Sequence, residues 1–315
     1  MPPRARPDRL DLALIALHPE LSRRRAREAI ERGQVDVDGQ AVREAGHAVR
    51  GTQAIVWRPN RPALPRARLS LPRLYEDEHV LIVDKPAGLL SVPTSGAGAA
   101  SEDTALARVA DYVRHLRPRA PYVERVHRLD RDTSGALAFA LTPEARQGLI
   151  ALFREHRIER VYLALVWGEP RADGGEIDAP IRDAYLSGRR GVARPGETGV
   201  PALSRWRVRE RLGPATLLEV VIETGRQHQV RAHLAHVGLP VVGDHLYGNL
   251  RPLPGERPRV TRLMLHAWRL AFRHPISGAR VAAESLPPRD FARLVERLRQ
   301  RRSPAAAASR RASRD

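Results

Sequence analysis

A stretch rich in proline and arginine limits what this chain can fold into more than any other feature of its sequence. It lies between residues 58 and 72, lacks apolar periodicity, and contains Pro59, Pro62, Pro65 and Pro72. Proline fixes φ and has no amide hydrogen to donate, so we expect this stretch to be extended and semi-stiff. We therefore predict four parts of the chain: a small domain over 1–58, a linker over 59–72, a large domain over 73–295 and a basic disordered tail over 296–315.

The small domain carries the local signals of a compact α/β module. Ser22 is placed to cap a basic helix, and Gly33 is placed to end it. A short alternating strand follows, and Asp38-Gly39 is the dipeptide that most favours a hairpin turn.

This order of capped basic helix, glycine and Val-x-Val-Asp-Gly hairpin resembles the RNA-binding domain that is called S-four after a small-subunit ribosomal protein. The resemblance implies that Arg23, Arg24 and Arg27, at the start and along one face of the helix, bind RNA phosphates. From the residues alone, a solvated basic helix without a ligand stays possible.

The large domain alternates many predicted strands with fewer helices. Strand patterns occur at 80–83, 136–141, 160–166, 203–208 and 215–222, and helical patterns at 104–116 and 143–155. Because strands outnumber helices, we predict an α+β fold with a mixed, mainly antiparallel sheet and flanking helices. Residues 171–200 are expected to form exposed connections, and residues 95–101 a mobile loop.

The charge of the chain indicates a polyanionic partner. The formal net charge is +18, and the 54 cationic side chains include one lysine, Lys85. A genomic bias could explain arginine in place of lysine, but it would not explain the net excess of cations. The chain has no cysteine, which excludes disulfides and thiolate metal sites.

The N-terminal segment does not have the pattern of a signal peptide or a membrane span. It is basic, but Asp11, His18 and Glu20 interrupt the apolar residues that follow. We therefore expect no membrane partner and a cytoplasmic protein.

The strongest functional signal is the string Val126–Gly135, which reads VHRLDRDTSG. It puts cations, carboxylates, hydroxyls and a glycine into ten residues, a composition typical of a site and not of a core. Together with other strings of similar character it resembles the RluA-type pseudouridine synthases. The match runs from about Tyr75 to His274 and includes Lys85–Gly88, Arg160–Tyr162, Glu223–His233, Gly243–Gly248 and Leu265–Ala267.

The resemblance implies three residues for the chemistry. Asp130 becomes the catalytic carboxylate, Tyr162 the ring packed on the target base, and Arg231 the cation paired with Asp130. One departure from the family is Arg160, which stands where a lysine is common. The positive charge is kept.

The same resemblance implies contacts to the RNA. Arg128 becomes the side chain that enters the RNA where the uridine leaves the stack, and Arg226 and His228 are expected to bind RNA or the base. Flipping a paired base costs a few kcal/mol, and an arginine can fill the gap while it holds phosphates.

The residue types suit this reaction. Isomerising uridine to its C-glycoside breaks the C1′–N1 bond and forms a C1′–C5 bond without a change of oxidation state, so no cofactor is required. Burial favours protonation of an aspartate unless a cation offsets the desolvation, and arginine cannot lose its own proton. The sequence leaves open whether Asp130 is a nucleophile or stabilises a cation-like or glycal-like intermediate, and whether Tyr162 acts as an acid or base.

Several residues of these strings have simpler explanations. Asp132 is favoured as a loop cap or ion-pair partner. Ser134 with His127 as its base would fit a hydrolase, but the Gly-x-Ser-x-Gly elbow is absent, so capping of the turn by Thr133 and Ser134 is favoured and His127 is expected to be structural. Without the resemblance, Tyr162 would be assigned to the core.

Three histidines raise the question of zinc, but their spacing fits neither His-Glu-x-x-His nor a zinc finger, and we predict no metal site for His228, His233 and His236.

The sequence therefore predicts an RNA pseudouridine synthase that acts as a monomer. By analogy, its substrate is large-subunit ribosomal RNA, with transfer RNA as an alternative. The rival hypotheses are a non-catalytic RNA-binding or ribosome-assembly protein on the same fold and, more weakly, a Ser/His hydrolase.

Overall fold

The chain forms two compact units, Met1–Arg68 and Leu69–Asp315. The computed structural model describes residues 8–42, 45–61, 70–94, 102–117, 121–182, 190–248, 260 and 262–302. Most of the predicted linker, the predicted mobile loop at 95–101 and residues 303–315 therefore lie outside the described residues.

Among its described residues, the first unit contains two helices and five short strands. They are β1 (Asp8–Arg9), α1 (Leu10–Leu17), α2 (Arg23–Glu31), β2 (Val35–Val37), β3 (Gln40–Val42), β4 (Ala48–Val49) and β5 (Ile55–Trp57). The predicted cap is confirmed, because the Ser22 hydroxyl accepts a hydrogen bond from the Arg25 amide. Gly33 follows the helix with φ of 70°, and Asp38 and Gly39 both have positive φ in the turn between β2 and β3.

A buried carboxylate holds the start of the predicted linker to this unit. Asp36 on β2 accepts hydrogen bonds from Arg61 at 2.5 and 2.6 Å and from Arg58 Nε at 2.8 Å. The hydrogen bonds from Arg61 come first among the causes that hold the pKa of Asp36 below its usual value, against the effect of burial. Residues 58–61 are therefore packed against the small unit.

The second unit contains twelve strands and four helices among the described residues. They are β6 (Arg73–Glu76), β7 (Val80–Lys85), α3 (Ala105–Leu116), β8 (Glu124–Arg125), β9 (Ser134–Ala140), α4 (Pro143–Arg154), β10 (Glu159–Trp167), β11 (Gly174–Asp178), β12 (Ile181–Arg182), β13 (Gly199–Val200), β14 (Leu203–Arg211), β15 (Ala215–Ile222), α5 (Gln229–His236), β16 (Leu265–Arg273), β17 (Arg280–Glu284) and α6 (Arg289–Arg302).

Ten of these strands form one sheet, and the predicted α+β class is confirmed. The order along the sheet is β11-β14-β15-β10-β16-β9-β7-β6, with β17 paired to β16 and β8 paired to β9. The β9–β16 pair is parallel, whereas the other described pairs of this sheet are antiparallel. All seven residues of β9 are buried, so the strand that follows the Val126–Gly135 string lies inside the core.

Helix α4 covers one part of the sheet with its apolar face. Ala145 and Leu149 pack against a core cluster that includes Val80, Ile82 and Ala138 of β7 and β9. This burial leaves the opposite side of α4 free for other contacts.

Two predictions about the connections differ from the structure. Residues 171–200 contain β11, which pairs with β14, and the β12–β13 hairpin, so part of this segment belongs to sheets. Residues 296–302, predicted as tail, continue α6. The reason is that Phe291, Leu294, Val295 and Leu298 are buried at helical spacing beneath a basic exposed face.

The close pairing of β9 with β16 depends on a glycine at the start of β9. At Gly135, φ is 119°, and an added Cβ atom would lie 2.2 Å from the Ala267 carbonyl oxygen on the neighbouring strand β16. Only glycine permits the two strands to approach this closely.

No helix among the described residues has the length and apolar character required to cross a membrane.

We predict that Gly135→Ala lowers the free energy of unfolding of the large unit by at least about 3 kcal/mol, because the clash and the backbone strain add. The matched control is Gly168→Ala, where φ is 79° but an added Cβ would meet no atom within 4 Å. The control should cost about 1–2 kcal/mol. Equal losses for the two variants in chemical denaturation would contradict the proposed close approach.

Candidate active site

Asp130 lies in the loop between β8 and β9, and this loop is held from behind by buried polar groups. The Lys85 ammonium donates to the carbonyl oxygens of Pro86, Leu89 and Arg131 at 2.9, 2.7 and 2.9 Å. The Lys85 side chain is fully buried, and burial lowers the pKa of Lys85 to about 7, although the charge of Asp130 opposes the shift. The one lysine of the chain therefore fixes the backbone beside Asp130.

A second buried group holds the same loop. The Ser91 hydroxyl donates to the Leu129 carbonyl oxygen at 2.7 Å and accepts from the Leu129 amide at 3.0 Å. With both backbone groups of Leu129 satisfied, the residue next to Asp130 has a fixed orientation.

Asp130 faces a cavity of about 610 Å³ that contains the predicted site residues of the large unit. Arg231 reaches it from α5, and its Nη1 atom lies 3.3 Å from Asp130 Oδ2. Tyr162 reaches it from β10. The structure thus brings together three residues that are far apart in the sequence.

Tyr162 presents its ring to the cavity from an irregular point of the sheet. The pairing of β10 with β16 shifts register between Val161 and Tyr162, a bulge that changes the direction of a side chain. The residue is 9% exposed. Burial, with a smaller contribution from Asp130, raises the pKa of Tyr162 to about 12, so the phenol stays neutral at physiological pH.

Arg231 also binds a second carboxylate, Asp244, for which the sequence predicts no role. Asp244 accepts from Arg231 Nε and Nη2 at 2.8 Å each, a bidentate pair, and also from the amides of Leu246 and Tyr247. The Asp244 side chain is fully buried, and the Arg231 guanidinium lies 5.1 Å from the Tyr247 ring centroid.

The charges of this network stabilise one another. Burial favours the neutral forms, but the hydrogen bonds of Arg231 hold the pKa of Asp244 below its usual value. Burial likewise acts against the charge of Arg231, but Asp244 and then Asp130 raise its pKa above the usual value. The segment Gly243–Gly248 is part of the family resemblance, but its sequence does not indicate which cation Asp244 binds.

The predicted RNA or base contacts of the large unit also line the cavity. His228 has φ of 60°, and its Nε2 atom is 3.8 Å from Asp130 Oδ1, while its Nδ1 atom is 3.0 Å from the Tyr247 hydroxyl. Burial first, then nearby cations, lower the pKa of His228, although Asp130 opposes the shift. Arg128 is exposed, and Arg226 donates through Nε to the Pro201 carbonyl oxygen.

The cavity has a strong excess of unpaired positive charge. In the described part of the chain, Arg231 is paired with carboxylates, whereas six other arginines of the cavity have no carboxylate partner: Arg125, Arg128, Arg146, Arg154, Arg160 and Arg226. Unpaired cations at one concave surface favour a polyanionic ligand.

The hydrolase alternative does not fit the positions of its residues. The buried Ser134 hydroxyl is hydrogen-bonded to His266 Nδ1 at 2.9 Å, whereas His127 Nε2 accepts from the Ala138 amide. Burial lowers the pKa of His127 to about 3 and its ring stacks on Phe153, which agrees with a structural role.

The described residues contain no group of three or more His, Cys, Asp or Glu side chains able to hold a metal ion. Both ring nitrogens of His233 are engaged, one with the Ser204 hydroxyl and the other with the Ala179 carbonyl oxygen.

In the small unit, two of the three predicted RNA-binding arginines have an acidic neighbour. The Arg27 Nε atom is 2.9 Å, and that of Arg23 3.8 Å, from the buried Asp11 carboxylate, which also binds Arg9. The hydrogen bond from Arg9 leads the causes that lower the pKa of Asp11 to about 2. No such partner is found for Arg24 among the described residues.

Comparison with known proteins agrees with both units. Residues 79–236 match the family of RNA pseudouridylate synthases, and residues 8–55 match the S4 domain, which is the S-four domain of the sequence prediction. A protein named ribosomal large subunit pseudouridine synthase D from Xanthomonas campestris pv. campestris is 38% identical, with 96% of this chain and 92% of that protein covered. A protein of the same name from Pseudomonas aeruginosa is 37% identical, with 93% of each chain covered.

Solved structures show the same fold. The human protein named RNA pseudouridylate synthase domain containing 4 superimposes with a TM-score of 0.59 at 24% identity, covering 72% of this chain and 92% of that one. The human protein named RNA pseudouridylate synthase domain containing 1 superimposes with a TM-score of 0.53 at 25% identity, covering 75% of this chain and 96% of that one. The chain therefore belongs to the RNA pseudouridylate synthase family and carries an S4 domain on its N-terminal side.

Proposed function

We propose that this protein isomerises uridines of large-subunit ribosomal RNA to pseudouridine and that Asp130 is its catalytic carboxylate. The observation that carries the proposal is the meeting of Asp130, Tyr162 and Arg231 at one cationic cavity. The names of the two bacterial relatives support ribosomal RNA as the substrate. We further propose a monomer in the cytoplasm, with the linker joining the S-four domain to the catalytic domain.

The reaction divides among these residues. The C1′–N1 bond breaks, the free base rotates, C1′ bonds to C5, the C5 proton leaves and N1 gains a proton. Asp130 acts either as a nucleophile or by stabilising a cation-like or glycal-like intermediate. The neutral ring of Tyr162 holds the detached base by stacking, an interaction worth roughly 1–3 kcal/mol.

Arginines of both domains, together with His228, bind the RNA. Arg128 is exposed at the mouth of the cavity next to Asp130, where it can take the place of the flipped uridine. Arg226 and His228 lie on the opposite loop and bind RNA or the base. In the S-four domain Arg23, Arg24 and Arg27 bind phosphates, with Asp11 fixing the position of Arg27.

We predict that Asp130→Asn lowers the rate of pseudouridine formation by roughly 10³-fold or more, because the neutral amide cannot act at C1′. The matched control is Asp132→Asn, which removes an exposed carboxylate two residues away. Both variants are expressed in a strain that lacks the gene, and pseudouridine is mapped at single-nucleotide resolution. Normal modification with Asp130→Asn would refute the proposed catalytic role, and the mapped RNA would decide between ribosomal and transfer RNA.

A non-catalytic RNA-binding protein is the second candidate, and one observation weighs against it. A binding protein needs cations, but it has no use for a carboxylate that faces the cavity at 16% exposure between Arg231 and His228. Loss of pseudouridine in the deletion strain, restored by the wild-type chain and not by Asp130→Asn, would exclude this candidate.

We also propose that Asp244 is a positioning residue that acts through Arg231. Its bidentate hydrogen bonds occupy Nε and Nη2 of Arg231, so the guanidinium offers Asp130 one contact through Nη1. The other oxygen of Asp130, Oδ1, is therefore not bound by Arg231 and, with His228 Nε2 3.8 Å away, can act on the sugar. Without Asp244, Arg231 could rotate and bind both oxygens of Asp130.

This role predicts a non-additive pair of substitutions. Asp244→Asn should lower kcat by roughly 10- to 100-fold, since it breaks a buried ion pair. In an Arg231→Met background, Asp244→Asn should change kcat by less than about twofold. The double variant removes both charges of the Arg231–Asp244 pair, so the fully buried Asp244 site holds no unpaired charge. It therefore also tests whether loss of folding explains the single substitution. An equal loss in both backgrounds would show that Asp244 does not act through Arg231.

For the S-four domain, Arg23→Gln with Arg24→Gln should weaken RNA binding and reduce the slope of log Kobs against log salt by about 1.4–1.8, the value for two lost phosphate contacts. The control pair is Arg289→Gln with Arg293→Gln, two exposed arginines of α6 without carboxylate partners among the described residues. A slope equal to that of the control would argue against phosphate binding by this helix.

A further inference from the structure

Helix α4 presents a second basic surface beside the predicted catalytic residues. Arg146, Ile150 and Arg154 recur every four residues and line the same cavity as Asp130. Residues at this spacing share one helix face, and the buried Ala145 and Leu149 occupy another. The exposed face therefore points away from the core and toward the cavity.

The charges on this face are not neutralised. Arg146 and Arg154 are exposed and have no carboxylate partner in the described part of the chain. Arginines of α3 behave differently, because Arg108 and Arg114 are paired with Asp103 and Asp111. An arginine pair held free of counterions on a rigid helix is suited to bind phosphate groups.

An exposed apolar side chain lies between the two cations. Ile150 is 37% exposed, although it belongs to a helix with an adequate buried face. Arg146 and Arg154 are about 12 Å apart along the helix axis, so they are placed for separate groups of an extended ligand. Alternating cation, apolar contact and cation suits a nucleic-acid strand, whose phosphates and sugar or base faces alternate in the same way.

We propose that the α4 face formed by Arg146, Ile150 and Arg154 docks the RNA strand that flanks the target uridine. This inference rests on the proposed function and extends it, since none of the three residues belongs to the motifs that indicated the family. Arg146 and Arg154 bind backbone phosphates, while Ile150 packs against a sugar or base. Continuity with the cavity of Asp130 favours RNA over an acidic protein, because the flanking strand must leave that cavity.

The test compares two matched pairs of substitutions in the full-length protein. Arg146→Gln with Arg154→Gln removes two cations of α4, and Arg289→Gln with Arg293→Gln removes two from α6, which does not line this cavity. The RNA is an unmodified large-subunit ribosomal transcript that contains the mapped site. Kd is measured over a range of salt concentrations, and KM and kcat are measured from pseudouridine formation.

For the α4 pair, we expect Kd and KM to rise at least tenfold, with a much smaller change in kcat, and the salt slope to fall by about 1.4–1.8. The α6 pair should leave all of these values within twofold of the wild type. Ile150→Ala should weaken binding without changing the salt slope, because it removes an apolar contact and no charge.

Two outcomes would overturn the docking role. One is an α4 pair that matches the α6 pair in Kd and salt slope. The other is a loss of kcat at unchanged Kd, which would assign these arginines to the chemical step. The proposed function is tested separately by Asp130→Asn, which should bind the same transcript and form no pseudouridine. Normal binding by the α4 pair together with an inactive Asp130→Asn would reject the docking surface alone.

Discussion

The ion network Asp130–Arg231–Asp244 is the interaction on which the rest of the site depends. Arg231 is 7% exposed and lies between two carboxylates, one fully buried and bidentate, the other at the cavity with a single contact of 3.3 Å. Removing these charges from water is costly unless each has partners. Under the proposed function, this unequal sharing gives the two carboxylates different tasks: Asp244 holds the cation, and Asp130 acts on the ligand.

The backbone must bring the members of this network together across about a hundred residues of sequence. Strand β9 begins beside the Asp130 loop, and its parallel contact with β16 is possible because Gly135 has no side chain. Lys85 and Ser91 satisfy backbone groups on the other side of the loop. The loop is thus supported on both sides by buried groups, which is the arrangement expected of a preorganised site.

The arginines of the described residues differ in whether a carboxylate neutralises them. Many arginines outside the cavity are paired with carboxylates, as Arg114 is with Asp111 and Arg205 with Glu176, and such exposed pairs contribute little to stability. Inside the cavity, six arginines have no carboxylate partner in the described part of the chain. These six cations lie at one concave surface, which favours a polyanionic ligand there.

Local signals in the sequence were sufficient for much of the fold. The Ser22 cap, the Asp38-Gly39 turn and the strands β14 and β15 were all predicted, because capping, turn chemistry and alternation act over a few residues. The end of α6 was missed, since its buried positions are separated by many arginines that resemble a solvated tail. For the site, Asp130, Tyr162 and Arg231 were predicted through a family resemblance and not from pattern alone.

By itself, the sequence determined the two-part organisation, the α+β class, the excess of arginine and the chemical types present at the site. Tertiary structure alone decided which of these groups meet. It selected Asp244 as the partner of Arg231 and directed Ser134 to His266. It also placed Arg146 and Arg154 beside the cavity, where no carboxylate of the described residues pairs with them. The physical reason is that ion pairing and burial depend on distances in space, which chain position does not encode.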